Sequence, residues 1–151
     1  MKIELNEFNI ETFIENDKYC EFVGEMSKDT EISKYVPGML EIELKETKDL
    51  EKFEGGHSYI ISTSKNLIGF IEIWSALKMC NLSYGLHEKY RNLGYGKKML
   101  IEVSDYLLNH YQKINLYIDE KNIPSNKCAI NAGYRLVNKV GVAVNVYERK
   151  K

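Results

Sequence analysis

Apolar residues recur at helical spacing in the first part of the chain. Between residues 11 and 35 they fall mostly three or four positions apart, and Ser27-Lys28-Asp29 interrupts the series. This spacing predicts two helices, ended by Pro37-Gly38. A third short helix is predicted around 40–52, and the weak alternation over residues 1–5 indicates a short edge strand.

The pattern changes to strand periodicity after Gly55-Gly56. Two β-rich runs, 58–63 and 67–74, predict a hairpin, and 81–86 predicts a further strand. The elements expected after it are a helix over 94–111, a strand over 114–119, a short helix over 123–132, and strands over 134–140 and 142–148. A helix between two strands implies one right-handed parallel crossover. We therefore predict a single α/β (α+β) domain with a mixed, mostly antiparallel sheet and helices on both faces.

Composition narrows the class of protein. The chain has 151 residues, of which 44% are hydrophobic and 28% charged, and its net charge of −1 argues against a nucleic-acid-binding module. No apolar stretch approaches the roughly 18 residues of a membrane span, and the N-terminus lacks the apolar core of a secretory signal. The cysteines, Cys20, Cys80 and Cys128, are widely spaced, which disfavours a disulfide framework or a zinc site. We expect a cytoplasmic protein with no metal, membrane or nucleic-acid partner.

The near-neutral total hides an uneven distribution of charge. Residues 1–57 carry 15 acidic and 7 basic side chains, whereas residues 58–151 carry 7 acidic and 14 basic ones. In one interpretation the acidic helices are simply solvated. In the other, the second region receives an anion while the first borders a site for a cation.

The segment Arg91–Lys98 stands between a predicted strand and a predicted helix. Gly94 and Gly96 allow a tight turn with exposed N–H groups, and these join the first-turn amides of the helix in an arrangement that binds phosphate. Lys97 and Lys98 oppose the helix dipole, so an anion docking there would explain them. The alternative is a plain glycine turn with solvated lysines.

Two familiar phosphate motifs fit this segment poorly. A P-loop needs glycine where Arg91 stands and a hydroxyl where Lys98 stands. A dinucleotide fingerprint needs a third glycine at Met99, although Asp119 does end the next predicted strand. A nucleotide-binding oxidoreductase therefore stays a minor alternative, whose signature would be stabilisation by NAD(P) and not by CoA.

Two motifs resemble those of the GNAT superfamily of N-acetyltransferases. The stretch Tyr84–Gly96 is similar to motif A, the strand, connector and pyrophosphate loop of that family. Asn122–Ser125, followed by Ala132–Arg135, is similar to motif B at the family's spacing. With Ser33-Lys34-Tyr35 in the second helix, the closest similarity is to the ribosomal-protein N-acetyltransferase type.

The resemblance implies one N-acetyltransferase domain over 1–151. Residues 1–57 would form the acceptor-side helices and 58–151 the core that binds acetyl-CoA, the cosubstrate. The N–H groups of 91–97 would hold the pyrophosphate, with charge from nearby basic side chains, and a backbone N–H, expected at Leu86, would polarise the thioester carbonyl. The implied cofactor-binding residues are Gly85, Leu86, His87, Arg91, Asn92, Leu93, Gly94, Tyr95, Gly96, Lys97, Lys98, Asn122 and Ser125.

The catalytic acid departs from the common family pattern. Many members carry a tyrosine four residues after the motif-B serine, where this chain has Ala129. Ser125 is then the candidate acid, with Asn122 positioning the acetylated arm. The alternative is that both residues only build the start of the helix. Cys128, in the same helix, is interpreted as a core residue and not as a nucleophile.

The base is a separate assignment. Glu72, flanked by Ile71 and Ile73, is the first candidate, and a solvated outward glutamate is the alternative. His87 and Glu88 are the next candidates.

The predicted function is direct acetyl transfer to a primary amine, either a protein N-terminus or a small amine. The alternative is a non-catalytic acyl-CoA-binding sensor or interaction domain. The acceptor is expected to be a small molecule or a peptide, and the protein a monomer or a homodimer.

Overall fold

The computed structural model describes residues 2–35 and 55–151. The elements in chain order are β1 (Lys2–Glu4), β2 (Asn9–Glu11), α1 (Asp17–Ser27), α2 (Thr30–Tyr35), β3 (Gly55–Ser62), β4 (Leu67–Ala76), β5 (Met79–Leu86), α3 (Tyr95–Leu107), β6 (Lys113–Asp119), α4 (Ile123–Asn131), β7 (Arg135–Val140) and β8 (Val144–Lys150). The helix predicted around 40–52 and its neighbour Pro37-Gly38 lie outside the described residues. Of the helices described, none combines the length and apolar character needed to cross a membrane.

The strands form one mixed sheet in the order β1-β2-β3-β4-β5-β6-β8-β7. Neighbouring strands are antiparallel except β5 and β6, which pair in parallel from Met79–Lys113 to Asn81–Asn115. Helix α3 connects these two strands, as a parallel pair requires. The predicted fold class, with one strand–helix–strand crossover, is confirmed.

Helices cover both faces of the sheet. Successive residues of a strand point to opposite sides, so one strand contributes side chains to the apolar clusters on both faces. Tyr59 and Ile61 of β3 belong to the larger apolar cluster, which contains Met99 and Leu100 of α3 and Ala129 of α4. Ile60, between them, packs on the other face in the cluster that contains buried side chains of α1 and α2. The expected placement of helices is therefore confirmed.

Some helix and strand boundaries differ from those that the hydrophobic periodicity predicts. Phe13 lies before α1 because Asn16 caps the helix, accepting a hydrogen bond from the Tyr19 amide at 3.0 Å. Strand β2, a three-residue run next to that segment, was not predicted. Helix α3 ends at Leu107, although buried Leu108 and Tyr111 continue its apolar pattern beyond the last turn.

Candidate active site

The parallel strands separate before they end. Pairing between β5 and β6 stops at Asn81–Asn115, yet β5 continues to Leu86 and β6 to Asp119. A cavity of about 460 Å³ lies at this end, bounded by β5, the turn before α3, and the start of α4. A larger, shallower depression at the opposite end, near Leu77, carries none of the predicted site residues. We call the first cavity the splay groove.

The splay groove contains most of the predicted binding residues. Those that line it are Gly85, Leu86, Arg91, Asn92, Gly94, Gly96, Lys97, Asn122 and Ser125. The predicted residues His87, Leu93, Tyr95 and Lys98 are not among the described residues that line it. Tyr95 packs edge-on against Phe8 and Tyr90 instead, and Leu93 is exposed.

The turn before α3 presents unused amide groups. Gly94 precedes the helix with φ of 85°, a left-handed conformation that glycine adopts without strain, and no side chain caps the helix. Among the described residues, none accepts a hydrogen bond from the backbone amides of 92–97, and the first bond of this helix start is from the Lys98 amide to the Gly94 carbonyl. A Cβ atom built on Gly94 would meet no atom within 4 Å. The amides of this turn are therefore unpaired at the edge of the splay groove, which is the arrangement of an anion site.

The two lysines of the first helical turn differ. Lys97 lines the splay groove, where its charge faces the same space as the free amides. Lys98 instead points toward the exposed Glu7 carboxylate, with 3.6 Å between Nζ and Oε2. Only Lys97 is therefore placed to meet a ligand in the groove.

The backbone of Leu86 turns toward the gap between the strands. The His87 amide donates to the Ile68 carbonyl at 2.8 Å. Antiparallel pairing alternates, so the N–H and C=O groups of Leu86 point away from β4. The carbonyl accepts hydrogen bonds from Arg91, whereas the N–H faces the side that β6 has left, because the pairing of β5 with β6 ends at Asn81. This N–H is the donor that the sequence singled out.

Arg91 fastens the end of β5 to the turn between α1 and α2. Its Nη2 lies 2.7 Å from Oδ2 of Asp29 and 2.9 Å from the Leu86 carbonyl, and Nε lies 3.1 Å from the same carbonyl. The guanidinium borders the splay groove, but its donors are directed at protein acceptors. Its main visible effect is to position the strand end beside the glycine turn.

Asp29 is the acidic partner in this connection, and the sequence did not predict a role for it. Its Oδ1 accepts hydrogen bonds from the amides of Glu31 and Ile32 at 2.9 and 3.4 Å, so it caps α2 as well as pairing with Arg91. Burial acts to raise the pKa of the carboxyl, but Arg91 and the two amides outweigh it and hold the pKa below its usual value. An aspartate directly before a helix was the available signal.

Replacing Asp29 with asparagine is expected to lower stability in a pH-dependent way. The amide can still cap α2 but loses the charge, so we expect a loss of about 1–2 kcal/mol at pH 7. Because the folded-state pKa is depressed, this contribution is present above the unfolded value of about 3.9 and disappears as the pH falls through the folded value. Urea unfolding of both proteins at pH 7 and pH 3 measures it. An equal loss at both pH values would show that the ion pair is not its source.

Helix α2 forms a wall of the splay groove. Glu31, Ile32 and Tyr35 line the groove, and the Tyr35 hydroxyl reaches the Lys121 carbonyl at 3.5 Å, next to the start of α4. The first region of the chain thus contributes an acidic and an aromatic side chain to the same cavity as the glycine turn. The charge pattern indicated this proximity only in general terms.

Ser125 and Asn122 meet the groove from the start of α4. Ser125 lies in the first turn and Asn122 immediately precedes it, and both line the cavity. The Asn122 side chain makes no capping hydrogen bond, so the structure gives it no such role. Both polar residues therefore border the space that a ligand would fill.

Asn126 holds this end of α4 in place. Its amide nitrogen donates to the carbonyls of Asp119 and Asn122 at 2.9 and 2.8 Å. Its oxygen accepts from the Tyr147 hydroxyl at 2.6 Å and from the Asn145 amide at 3.0 Å. The helix start is therefore tied to both β6 and β8, which the sequence did not reveal because these partners are far apart along the chain.

Glu72 lies outside the splay groove. It is buried, with 8% of its surface exposed, and its Oε1 accepts a hydrogen bond from Nε1 of Trp74 at 3.2 Å. It shares the sheet face of Phe70, whose partner on β5 is the groove residue Gly85. Two residues of strand span about 7 Å, so Glu72 would reach the groove through water or through the acceptor itself. The alternative of a solvated outward residue does not fit its burial.

His87 lies beneath α1. Its Nε2 is 2.5 Å from Oε2 of Glu25, its Nδ1 accepts from the Lys89 amide at 3.2 Å, and the ring stacks on Phe22. These contacts fix the end of β5 from the helix side. Contact of His87 with the cofactor stays a prediction, and the His87 ring is occupied by protein partners.

Cys128 lines the groove from α4 and is half-buried. Burial raises the pKa of its thiol, against smaller opposing effects of Tyr84 and Lys97. Since the thiolate is the reactive form, this environment disfavours a nucleophilic role.

A family model agrees with this geometry. The model of the acetyltransferase (GNAT) domain matches residues 9–135, most of the chain. The chain belongs to the GNAT acetyltransferase family. It is accordingly an acyltransferase, and the resemblance carried by Tyr84–Gly96 and Asn122–Ser125 is confirmed. A search of curated protein sequences gave no significant match.

Solved structures share the GNAT fold over the whole chain. A GNAT acetyltransferase from Bacillus anthracis superposes with a TM-score of 0.78 at 16% identity, covering 99% of this chain and 98% of that one. Spermidine N-acetyltransferase from Vibrio cholerae, in complex with CoA and spermine, has a TM-score of 0.72 at 14% identity, with 95% of each chain covered. The ribosomal-protein α-N-acetyltransferase RimL, in complex with CoA, has a TM-score of 0.76 at 13% identity, with 99% and 98% covered.

Proposed function

We propose that this GNAT protein transfers the acetyl group of acetyl-CoA directly to a primary amine. The observation that carries the proposal is the splay groove, in which the free amides of 92–97 lie at one end and the free N–H of Leu86 at the other. A diphosphate fits the first set of donors and an acyl carbonyl fits the second. Two of the similar structures contain CoA, which supports the choice of ligand.

Binding of the diphosphate, stabilisation of the acyl oxygen and the two proton transfers are assigned to different residues. The amides of 92–97 and the charge of Lys97 hold the diphosphate, and the Leu86 N–H stabilises negative charge on the acyl oxygen. Ser125, at the groove wall, acts as the acid toward the departing thiolate, and Asn122 orients the acetylated arm. Glu72 acts as a base through water. No covalent enzyme intermediate is required, because the amine attacks the thioester directly.

The acceptor is an amine that is readily neutral. An α-amino group, with a pKa of about 7.7–8, is neutral in roughly one molecule in ten at pH 7, whereas a lysine amine is neutral in roughly one in two thousand. A distant base such as Glu72 therefore suits an α-amine or a small amine of low pKa better than lysine. The Glu31 carboxylate at the groove and the acidic surplus of residues 1–57 favour approach of a cation.

Two measurements test this function. Mass spectrometry of the purified protein should find CoA that has remained bound through purification. Incubation with acetyl-CoA and a panel of peptides with free N-termini, polyamines and other small amines should release free thiol for at least one acceptor. A protein that neither binds CoA nor releases thiol would contradict the proposal.

Ala129 supports a second candidate, a non-catalytic acyl-CoA sensor. It is fully buried in the core, one helical turn after Ser125, and offers no hydroxyl to the groove. This candidate predicts saturable binding of acetyl-CoA with no turnover on any amine of the panel.

A further inference from the structure

The Tyr84 hydroxyl is a buried donor that the proposed mechanism does not use. Tyr84 lines the splay groove, and its hydroxyl oxygen is buried without a hydrogen-bond partner among the described residues. Ser125 and Cys128 are its polar neighbours: both influence the pKa of the hydroxyl, but neither is placed within hydrogen-bond geometry of it. A buried hydroxyl usually has a partner, because an unsatisfied one is costly. Since this one lies at a groove, a ligand atom is the natural partner.

Tyr134 shows what a structural tyrosine looks like in the same core. Its hydroxyl is 2.7 Å from Oγ of Ser104, so it is satisfied inside the protein. Both tyrosines belong to or pack against the larger apolar cluster. They differ in that only Tyr84 borders the groove and only its hydroxyl is unpaired.

The position of Tyr84 indicates which atom of the thioester its hydroxyl would meet. It precedes Gly85 and Leu86, and Leu86 supplies the free N–H proposed for the acyl oxygen. Strand alternation places its side chain on the face of α3 and α4, opposite Gly85, with Ser125 and Cys128 of α4 as its neighbours. A thioester whose carbonyl oxygen meets Leu86 and whose leaving group meets Ser125 has its sulfur in this region.

We propose that Tyr84 donates a hydrogen bond to the thioester sulfur as it leaves, and that it keeps its own proton. This inference rests on the proposed function. In the step concerned, the amine nitrogen bonds to the acetyl carbon, and the carbon–sulfur bond breaks with its electron pair remaining on sulfur. Tyr84 stabilises the resulting thiolate. The thiolate then takes a proton from water, directly or relayed through the Ser125 hydroxyl, which regains its own proton from that water, and the proton lost by the amine passes to the base.

The energetics favour donation without proton transfer. Burial, the largest effect, raises the pKa of the Tyr84 hydroxyl above its usual value of about 10. A thiol ionises near 8.5, so moving the phenolic proton to the thiolate would be unfavourable by more than one pKa unit. A neutral phenol thus remains a donor across the working pH range, and no titration of Tyr84 is expected in the pH–rate profile.

The first experiment needs no acceptor. The pKa of the thiol of protein-bound CoA is measured from thiolate ultraviolet absorbance, in the wild type and in Tyr84→Phe. A hydrogen bond to a charged group is expected to make the bound thiol about tenfold more acidic in the wild type than in the variant. Tyr84 also lowers the pKa of the neighbouring Cys128 thiol. Both proteins therefore carry Cys128→Ala, and the titration of each protein without CoA is subtracted. An equal thiol pKa in the two would overturn the proposal.

The matched control is Tyr134→Phe, which removes a buried hydroxyl away from the groove. Tyr84→Phe should lower kcat by at least tenfold with little change in KM for acetyl-CoA, whereas Tyr134→Phe should leave kcat unchanged. The melting temperatures of the two variants should show the opposite pattern, with the larger effect in Tyr134→Phe. Tyr84→Phe removes an unpaired group and should not lower Tm, while Tyr134→Phe leaves Ser104 unpaired and should lower it.

The outcomes separate this inference from the proposed function. If the wild type does not bind CoA, the proposed function fails and the inference fails with it. If CoA binds with the same thiol pKa in Tyr84→Phe, or if kcat is unaffected by that substitution, the inference alone fails. A loss of Tm in Tyr84→Phe as large as in Tyr134→Phe would mean that its hydroxyl is structural, which also overturns it.

Discussion

Replacing Gly94 with valine should reduce the affinity for CoA by at least about 100-fold. Gly94 has φ of 85°, which a branched side chain tolerates poorly, and its missing Cβ leaves open space beside the free amides of 92–97. The valine would change the backbone conformation of the turn, redirect its N–H groups and occupy that space. Losing two hydrogen bonds to a charged diphosphate costs roughly 3–6 kcal/mol, which corresponds to this change in affinity. Isothermal titration with CoA measures it directly.

Gly141→Val is the matched control. Gly141 also has positive φ, 61°, and its Cβ would likewise meet nothing within 4 Å, but it lies between β7 and β8 and not at the groove. Both substitutions should cost about 1–2 kcal/mol of stability from backbone strain. Only Gly94→Val should lose CoA. Equal affinity in the two variants would mean that the turn before α3 is not the diphosphate site.

Ser125→Ala should lower kcat by about 100-fold, the lower end of the contribution of a positioned acid. Ser125 is half-exposed at the wall of the splay groove, and its polar neighbour there is Tyr84, which also lines the groove. The KM for acetyl-CoA and the melting temperature should therefore change little. Steady-state kinetics with an acceptor from the amine panel measure the split between kcat and KM.

Ser125→Thr tests whether the hydroxyl itself matters. It retains the O–H group, so it should recover much of the activity that alanine removes, while any purely steric effect would be worse in the larger side chain. If alanine and threonine are both fully active, Ser125 is not the acid. The thiolate would then be protonated by water.

The candidate site was predictable wherever its chemistry is local in sequence. The glycines at 94 and 96, followed by Lys97, specify free amides and positive charge at a helix start, which needs only the neighbouring residues. Ser125 and Asn122 were instead implied by the resemblance to motif B, and their roles stay predictions. Asp29 and Tyr84 were missed, because their roles depend on Arg91 and on an empty partner position that only the folded chain displays.

For other residues, the sequence indicated the position in a strand but not the surroundings of the side chain, so the contacts differ from those that the predicted roles implied. His87 follows β5 directly and was expected at the cofactor, but its ring contacts Glu25 and Phe22 of α1. Glu72 alternates correctly with its apolar neighbours and is nevertheless buried beside Trp74, outside the groove. Periodicity states that a side chain changes face at each step, but not which helix covers that face.

The sequence by itself determined the order and type of most elements, the parallel crossover through α3, and the glycine turn that defines the GNAT family, because these follow from spacing within short windows. Only the tertiary structure decided where β5 and β6 part, that α2 walls the same groove, and that Arg91 is held by Asp29 and the Leu86 carbonyl. Those features join segments far apart in the chain, and the contacts that stabilise them exist only once the sheet brings the segments together.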